Sequence, residues 1–388
     1  MQHIDTIFSG IMKHLPRYQF ERIVKKYDGD RRVRHLRCWE QFIAMIYAQF
    51  SGRKSLRDLE INFNAQYPYL YHLGCRNGIK RSTLADANSS RPIQIFEETF
   101  GLVLDKANRN LKKDGASFVQ LIDASIVMLN KTRFGWAMGQ KGKAGIKLHM
   151  VYDLDAAIPV YFEVDTARSS DIIMAKRLTL SKGATYVFDR GYYDFLWWNK
   201  IDDEGCRFLT RLKKNSPTRV IKQRQSPNDS ILSDNDVKLS DRLSRSRKNP
   251  YQKLLREIIV KLDDKKEPIR LITNDFTSSS DDIAELYRKR WQIELFFKWI
   301  KQNLKIKTFL GTSENAVKIQ IITAMISFLL LRITSQTLTV RISLQLLTRI
   351  VGANLMARKT ILQLLIPPDP IQYQQNINLF NQLELSYP

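Results

Sequence analysis
The 388-residue sequence predicts an α/β (α+β) fold, with one mixed sheet carrying a β-rich insertion and helical regions before and after it. Three observations predict it. Between residues 117 and 212, short apolar runs rich in β-branched and aromatic residues alternate with helix-like stretches. Before residue 113 the apolar residues recur at helical spacing, with capping residues between the runs. After Gly311 a long apolar stretch again lacks strand alternation.

Residues 1–112 are the first expected domain. Residues 38–50 are almost continuously apolar and predict a core helix that ends at Ser51-Gly52. Ser55 is the expected N-cap of the next helix. A turn-prone Cys75-Arg-Asn-Gly78 then leads into a short helix beginning with Lys80-Arg81-Ser82-Thr83. Helix, Gly-bearing turn and a helix with a basic, hydroxyl-rich start outline a helix-turn-helix-like DNA reader, with Arg81 a candidate DNA contact. Any small helical bundle has the same outline.

Residues 116–212 and 267–310 are the expected catalytic domain. Strands are predicted at 117–123, 145–152, 158–165, 184–189 and 207–212, with helices at 171–181 and 192–203. Three adjacent strands, then helix, strand, helix and strand, give a mixed sheet of ribonuclease-H-like outline. Residues 213–266 read as an insertion with strands at its flanks, such as 257–262, and a mobile Ser-, Asn- and Asp-rich loop over 226–246. Residues 268–273 return to the sheet. Residues 311–388 are a helical region, ended by Pro367-Pro-Asp-Pro370 and a polar tail.

Composition narrows the function. The formal net charge is +23 and the pI about 9.9, a surplus that points to a polyanion, with nucleic acid first. The surplus is spread: residues 1–115 hold 20 Lys+Arg against 12 Asp+Glu, and residues 207–275 hold 18 against 9. That distribution suits contact along a length of duplex. Cys38, Cys75 and Cys206 are far apart and form no zinc or disulfide pattern. The start of the chain lacks the features of a signal peptide, so a cytoplasmic protein is expected. Residues 319–333 are apolar but broken by Gln320, Thr323, Ser327 and Arg332, which predicts a buried helix and no membrane partner.

The most informative stretch is 283–304. No Pro or Gly interrupts it, and Ser280-Asp281-Asp282 supplies capping and acidic first-turn residues, so one continuous helix is expected. On a helical wheel Tyr287, Arg290, Glu294 and Lys301 share an arc of about 60° along roughly 21 Å. Lys298 lies close to that arc. The apolar residues Ile293, Phe296, Phe297, Ile300 and Leu304 occupy the other side. Charge pattern alone also suits a solvated helix face, and Lys298 and Lys305 fit that reading best.

Three acids stand in related contexts. Asp123 ends the first predicted strand, Asp189 ends the fourth, and Glu294 is on the helix. In a ribonuclease-H-like sheet those strands are neighbours, so their ends can bring two carboxylates together and a packed helix can add a third. Such a cluster is self-repelling unless cations neutralise it. Its hard oxygen donors suit Mg²⁺ or Mn²⁺, and two ions about 3.5–4 Å apart catalyse in-line displacement at phosphorus. Singly, strand-end aspartates more often cap turns.

The spacing Y-x2-R-x3-E-x6-K at Tyr287, Arg290, Glu294 and Lys301 resembles the signature of the insertion-sequence-four family of bacterial DDE transposases. Asp189-Arg-Gly-Tyr-Tyr-Asp194 resembles that family's second-acid motif, and Leu121-Ile-Asp123-Ala-Ser125 its first. Pro16-Arg-Tyr-Gln-Phe20, Cys38-Trp-Glu-Gln-Phe42, Gly52-Arg-Lys-Ser-Leu-Arg-Asp58 and 81–88 resemble the N-terminal domain of one branch. The resemblance runs from about residue 5 to 335. It implies that Asp123, Asp189 and Glu294 hold two Mg²⁺ or Mn²⁺ ions. Tyr287, Arg290 and Lys301 would contact DNA phosphates, joined by Lys298 and Arg190, although Arg190 equally suits a turn. It further implies double-stranded transposon ends and target DNA as partners, a homodimer in the active complex, and a nucleoid-associated bacterial protein. Relatives stack a flipped base on a Trp in the insertion, but this chain has no Trp between Trp198 and Trp291. Tyr251 and Phe276 are the aromatic alternatives, while Trp197, Trp198, Trp291 and Trp299 are expected in the core or a groove wall. A catalytically inactive DNA-binding relative and a nuclease without strand transfer are the rival readings.

Overall fold
A computed structural model describes residues 5–75, 77–111, 118–139, 142–225, 229–241, 248–261, 267–304, 306 and 308–365. Lys305, residues 226–228 and 242–246 of the expected loop, and the Pro367-Pro-Asp-Pro370 run lie outside these residues. The described residues fall into two compact units. One draws on Met1–Asn110, Asn303–Gly311 and Asn315–Pro388, the other on Leu111–Gln302 and Thr312–Glu314.

The first unit begins with α1 (Ile7–Met12), α2 (Arg17–Lys26), α3 (Cys38–Ser51), α4 (Leu56–Asn64), α5 (Tyr67–Leu70), α6 (Arg81–Ser90) and α7 (Gln94–Leu111). The apolar run at 38–50 explains why α3 is its axis: every residue from Cys38 to Phe50 is buried. Gly52 ends it in the left-handed region at φ 67°, which costs glycine little. The Ser55 hydroxyl accepts the Asp58 amide at 3.1 Å, the expected N-cap.

The second unit is built on β1 (Val119–Leu129), β2 (Ala144–Asp153), β3 (Ile158–Thr166), α8 (Asp171–Arg177), β4 (Thr185–Phe188), α9 (Phe195–Asp203), β5 (Arg207–Arg211), β6 (Thr218–Gln223), β7 (Ile231–Leu239), β8 (Leu255–Val260) and β9 (Ile269–Thr273). The strands form one nine-stranded sheet in the order β3-β2-β1-β4-β5-β9-β8-β7-β6. β1, β4 and β5 are parallel neighbours, and the remaining pairs are antiparallel. This is the mixed, ribonuclease-H-like sheet expected of the alternating runs. Side-chain alternation gives it two faces. Ile122, Phe188 and Phe208 pack with Trp197 and Trp198 of α9 and Met174 of α8 on one face. On the other, Tyr152 meets Phe296 with ring centroids 5.0 Å apart.

Two expectations are corrected here. The 226–246 stretch was expected as a mobile loop, yet β7 runs through it. Its polar residues are satisfied inside the sheet: buried Asp234 pairs with Arg256 at 2.6 Å, and Asp236 with Arg224 at 2.7 Å. Composition cannot reveal that pairing, because the arginines come from elsewhere in the insertion. The single helix expected at 283–304 is instead α10 (Ser280–Lys289) and α11 (Trp291–Asn303). The Arg290 amide bonds to the Tyr287 carbonyl at 3.2 Å and the Ile293 amide to the Arg290 carbonyl at 3.3 Å, so the turn tightens from i+4 to i+3. The N-cap is Ser279, whose hydroxyl accepts the Asp282 amide at 3.1 Å, one residue earlier than expected.

The chain then returns to the first unit through α12 (Glu314–Thr337), α13 (Leu344–Asn354) and α14 (Ile361–Leu365). α12 is long and apolar enough to cross a membrane, but it is a core helix, with 89% of its most apolar window buried. None of the residues of α14 is buried.

Candidate active site
The site is set by strand register. β1 and β4 pair in parallel through Val119↔Thr185 to Ile122↔Phe188, and pairing stops there. The next residues are Asp123 and Asp189, one on each of two strands that lie about 4.8 Å apart in any sheet. Ile122 and Phe188 point into the α8–α9 core, so alternation turns both aspartates to the other face, where α11 packs. β1 was expected to end at Asp123, but it continues six residues further, held by β2 through Leu129↔Ala144. The acid therefore stands in the middle of a paired strand, on a rigid backbone.

Each carboxylate has a local partner. Asp123 Oδ1 accepts the Ala124 amide at 2.8 Å. Asp189 Oδ1 accepts the Gly191 amide at 2.7 Å and caps a 3-10 turn from Arg190 to Tyr192. A Cβ at Gly191 would lie 2.9 Å from Asp189 Oδ1 and 3.3 Å from Asp171 Oδ2, so a larger residue there must shift a carboxylate. Burial pushes the Asp123 carboxyl up to about 7, and the charges of Asp189 and Glu294 add to the rise while the Ala124 amide and Arg290 oppose it. Asp123 thus senses the charge of both Asp189 and Glu294.

The helical residues are arranged around them. Arg290 Nη2 bonds Glu294 Oε1 at 2.7 Å, with the guanidinium 5.7 Å from the Tyr287 ring centroid. Burial disfavours the Arg290 cation, yet Tyr287 and Glu294 hold its pKa above the usual value. Tyr287 is itself buried, on the inward face of α10 with Ile283 and Ala284. Burial raises its phenol pKa, partly offset by Arg290 and Arg211. Lys301 Nζ donates to Ser125 Oγ at 2.6 Å and to the Ile126 carbonyl at 2.9 Å. Lys298 and Arg190 are exposed. Arg81 is exposed at the first turn of α6 in the other unit, so it is no part of this cluster.

Other residues enter that sequence reasoning did not single out. Ser125 lies two residues after Asp123, the period-2 spacing that puts both on one strand face, and this was the available signal. Asp171 at the start of α8 reaches the Gly191 turn from behind. It pairs with Lys147 Nζ at 3.2 Å and faces the buried ring of His149 at 3.6 Å. No motif spacing links residues 147, 149, 171 and 191. Trp197 and Trp198 are core residues as expected, whereas Trp291 is 56% exposed beside Arg290. Tyr251 is buried, which removes it as a stacking surface. Phe276 remains partly exposed under the Arg224 guanidinium.

Among the described residues, no three His, Cys, Asp or Glu side chains converge closely enough to enclose a metal ion as they stand. The donor chemistry does fit a hard divalent cation. Two carboxylates stand on neighbouring strands, a third lends its charge, and burial, aided by like charge, pushes one up to about 7. A cation would relieve that penalty.

Comparison with known proteins gives two family matches. Residues 117–330 match the family described as a transposase DDE domain, and residues 3–76 match a domain of unknown function, DUF4372. The protein y4zB of Sinorhizobium fredii, which bears a transposase assignment, is 36% identical over 290 residues, covering 74% of this chain and 80% of that one. The protein assigned as transposase for insertion sequence element IS5377 of Geobacillus stearothermophilus is 28% identical over 256 residues, 65% of this chain and 66% of its own length. That assigned to element IS4SA of Synechocystis is 27% identical over 263 residues, 65% of this chain and 71% of its own length.

Proposed function
The chain belongs to the DDE transposase family, and from that membership we propose that it is the transposase of a bacterial insertion sequence of the insertion-sequence-four branch. It binds the terminal inverted repeats, hydrolyses the phosphodiester at the element's end, and joins the released 3′-hydroxyl to target DNA. One observation carries the reading: parallel pairing of β1 and β4 ends at Ile122↔Phe188, so the following residues are both carboxylates, and the charge of Glu294 reaches Asp123.

Asp123, Asp189 and Glu294 are the residues that would hold Mg²⁺ or Mn²⁺. When bound, the metal supplies Lewis acidity for displacement at phosphorus. Arg290 now neutralises Glu294, and its fork geometry equally suits a phosphate. Tyr287 supports that guanidinium from within the fold. Lys301, anchored on Ser125 and the Ile126 carbonyl, presents a cation at the continuation of the strand that carries Asp123. Lys298 and Arg190 are exposed and free to extend the phosphate contacts. Residues 1–112, including Arg81, are the DNA-binding domain in this proposal, with 213–266 as the insertion. Two ends must be held together, which calls for a homodimer. The partly exposed apolar residues of α14 within the 311–388 region support a contact there.

The test is cleavage of a duplex bearing the element's end. Asp123→Asn, Asp189→Asn and Glu294→Gln are each expected to abolish Mg²⁺-dependent cleavage while leaving duplex binding within a few-fold. Near-normal cleavage by any one of them refutes the assignment. Joined products with target DNA separate strand transfer from simple nuclease action.

A further inference from the structure
Four arginines of the first unit have no part in the site described above. Arg31, Arg32, Arg34 and Arg37 lie with His35 in the connection between α2 and α3, and all five side chains are exposed. Among the described residues their one ion pair is Arg31 with Asp28, at 4.0 Å. Val33 is half-buried and Leu36 buried, so the connection shows charge outward and no apolar anchor. That surface suits electrostatic recognition rather than the core of a protein interface.

The backbone beneath these cations is pinned. Asp30 Oδ1 accepts the Cys38 amide at 2.7 Å. Buried Arg91, just past the end of α6, donates to the Leu36 carbonyl and to Gln41 Oε1, the latter at 2.9 Å. Gly29 packs so closely that a Cβ would lie 2.4 Å from Ile95 and 2.9 Å from Cys38 Sγ. Asp28 and Arg32 hold φ of 51° and 59°, the left-handed region that side-chain-bearing residues rarely adopt. Strain of that kind persists where the surroundings impose it, and it concentrates at functional loops. Merely solvating charge requires no such scaffold.

The loop forms one wall of a groove of about 420 Å³, and Thr83, Asp86 and Ser90 of α6 form the other. Arg31 and Arg34 line it beside Asp28 and Asp86, with buried Arg91 beneath, while the exposed Arg32 and Arg37 stand outside its lining. We propose that the 31–37 loop is a phosphate clamp for double-stranded DNA, fixing the duplex backbone beside α6. Guanidinium groups make paired bonds to phosphate oxygens, and a pinned loop offers them without an ordering cost. Such contacts position the duplex and carry no base information. The proposal rests on the DNA-binding reading of residues 1–112 and narrows it to named side chains.

The experiment uses the full chain and two duplexes of unrelated sequence, with affinity read by fluorescence anisotropy across a salt series. Combined Arg31→Gln, Arg32→Gln and Arg34→Gln should lower the slope of log K against log salt by about 2–3, roughly 0.9 per lost contact, and weaken both duplexes equally. The matching triple Arg→Lys variant should keep the slope, which separates charge from folding. A Gln variant that retains the full slope, or loses affinity for one sequence alone, overturns the clamp while leaving the DNA reading intact. Wild-type protein without salt-dependent duplex binding overturns both.

Discussion
Asp123 titrates as a group that its surroundings resist ionising. Its carboxyl has an ordinary value of 3.8 and is pushed up to about 7 by burial, with Asp189 and Glu294 adding to the effect. Between those values the folded chain keeps a proton that the unfolded chain has released. Stability therefore falls as pH rises through that window, and the loss is complete above about 7. Replacing the acid by Asn removes the penalty. In metal-free buffer Asp123→Asn should melt a few degrees higher than the wild type at pH 8, and the difference should vanish near pH 4. Adding Mg²⁺ at pH 8 should raise the wild-type melting temperature and leave the variant's unchanged. Equal melting differences at both pH values would rule out this account of the site. Arg290 shows the same electrostatics from the cation's side, since its bond to Glu294 supplies part of the neutralisation that the acids need.

At the scale of elements, the decisive part is the turn after β4. The Asp189 carboxylate is aimed by the Gly191 amide, and Asp171 of α8 closes the turn from the other side. A methyl group at residue 191 must displace one or both carboxylates. Gly191 is exposed, so the fold should tolerate the change. Gly191→Ala is expected to cut end cleavage by about tenfold to a hundredfold, the usual cost of misplacing a reacting group by up to an ångström. Its thermal melting should stay close to the wild type. Unaltered cleavage would mean that the turn does not position Asp189. The broken helix carries a related lesson. Tyr287, Arg290, Glu294 and Lys301 have the spacing of one helical arc, but the turn tightens at Arg290, and Tyr287 before it lies on the buried face of α10. Spacing identified the residues, while their exposure depended on packing.

For the whole molecule the dominant property is charge. A net +23 over 388 residues, spread along the chain, should make duplex binding strongly salt-dependent. If the chain neutralises about 6–10 phosphates, affinity should fall by about 10³–10⁵ between 50 and 200 mM salt. Anisotropy titrations at several salt concentrations measure this directly. A loss of less than tenfold would argue against an extended duplex footprint.

Much of this architecture is local information and was legible in the chain. Short runs rich in β-branched and aromatic residues mark β1–β5, β8 and β9, a mostly apolar run marks α3, and Ser55 and Gly52 bound their helices, because side-chain patterning and capping act over a few residues. The strand-end contexts of Asp123 and Asp189 and the spacing around Glu294 are local patterns of the same kind. β7 was not, since Asp234 and Asp236 are tolerated in a strand only because Arg256 and Arg224 reach them from other parts of the chain. Nor were Asp171 behind the Asp189 turn or the pinned arginine loop, which depend on Arg91 and Ile95 far along the sequence. The sequence by itself determined most of the elements and the charge, and marked out the candidate acids. Only the tertiary structure decided which buried charges are satisfied, which cations are left facing out, and that Asp123 and Asp189 directly follow one parallel register, because each of these is set by contacts between residues distant in the chain.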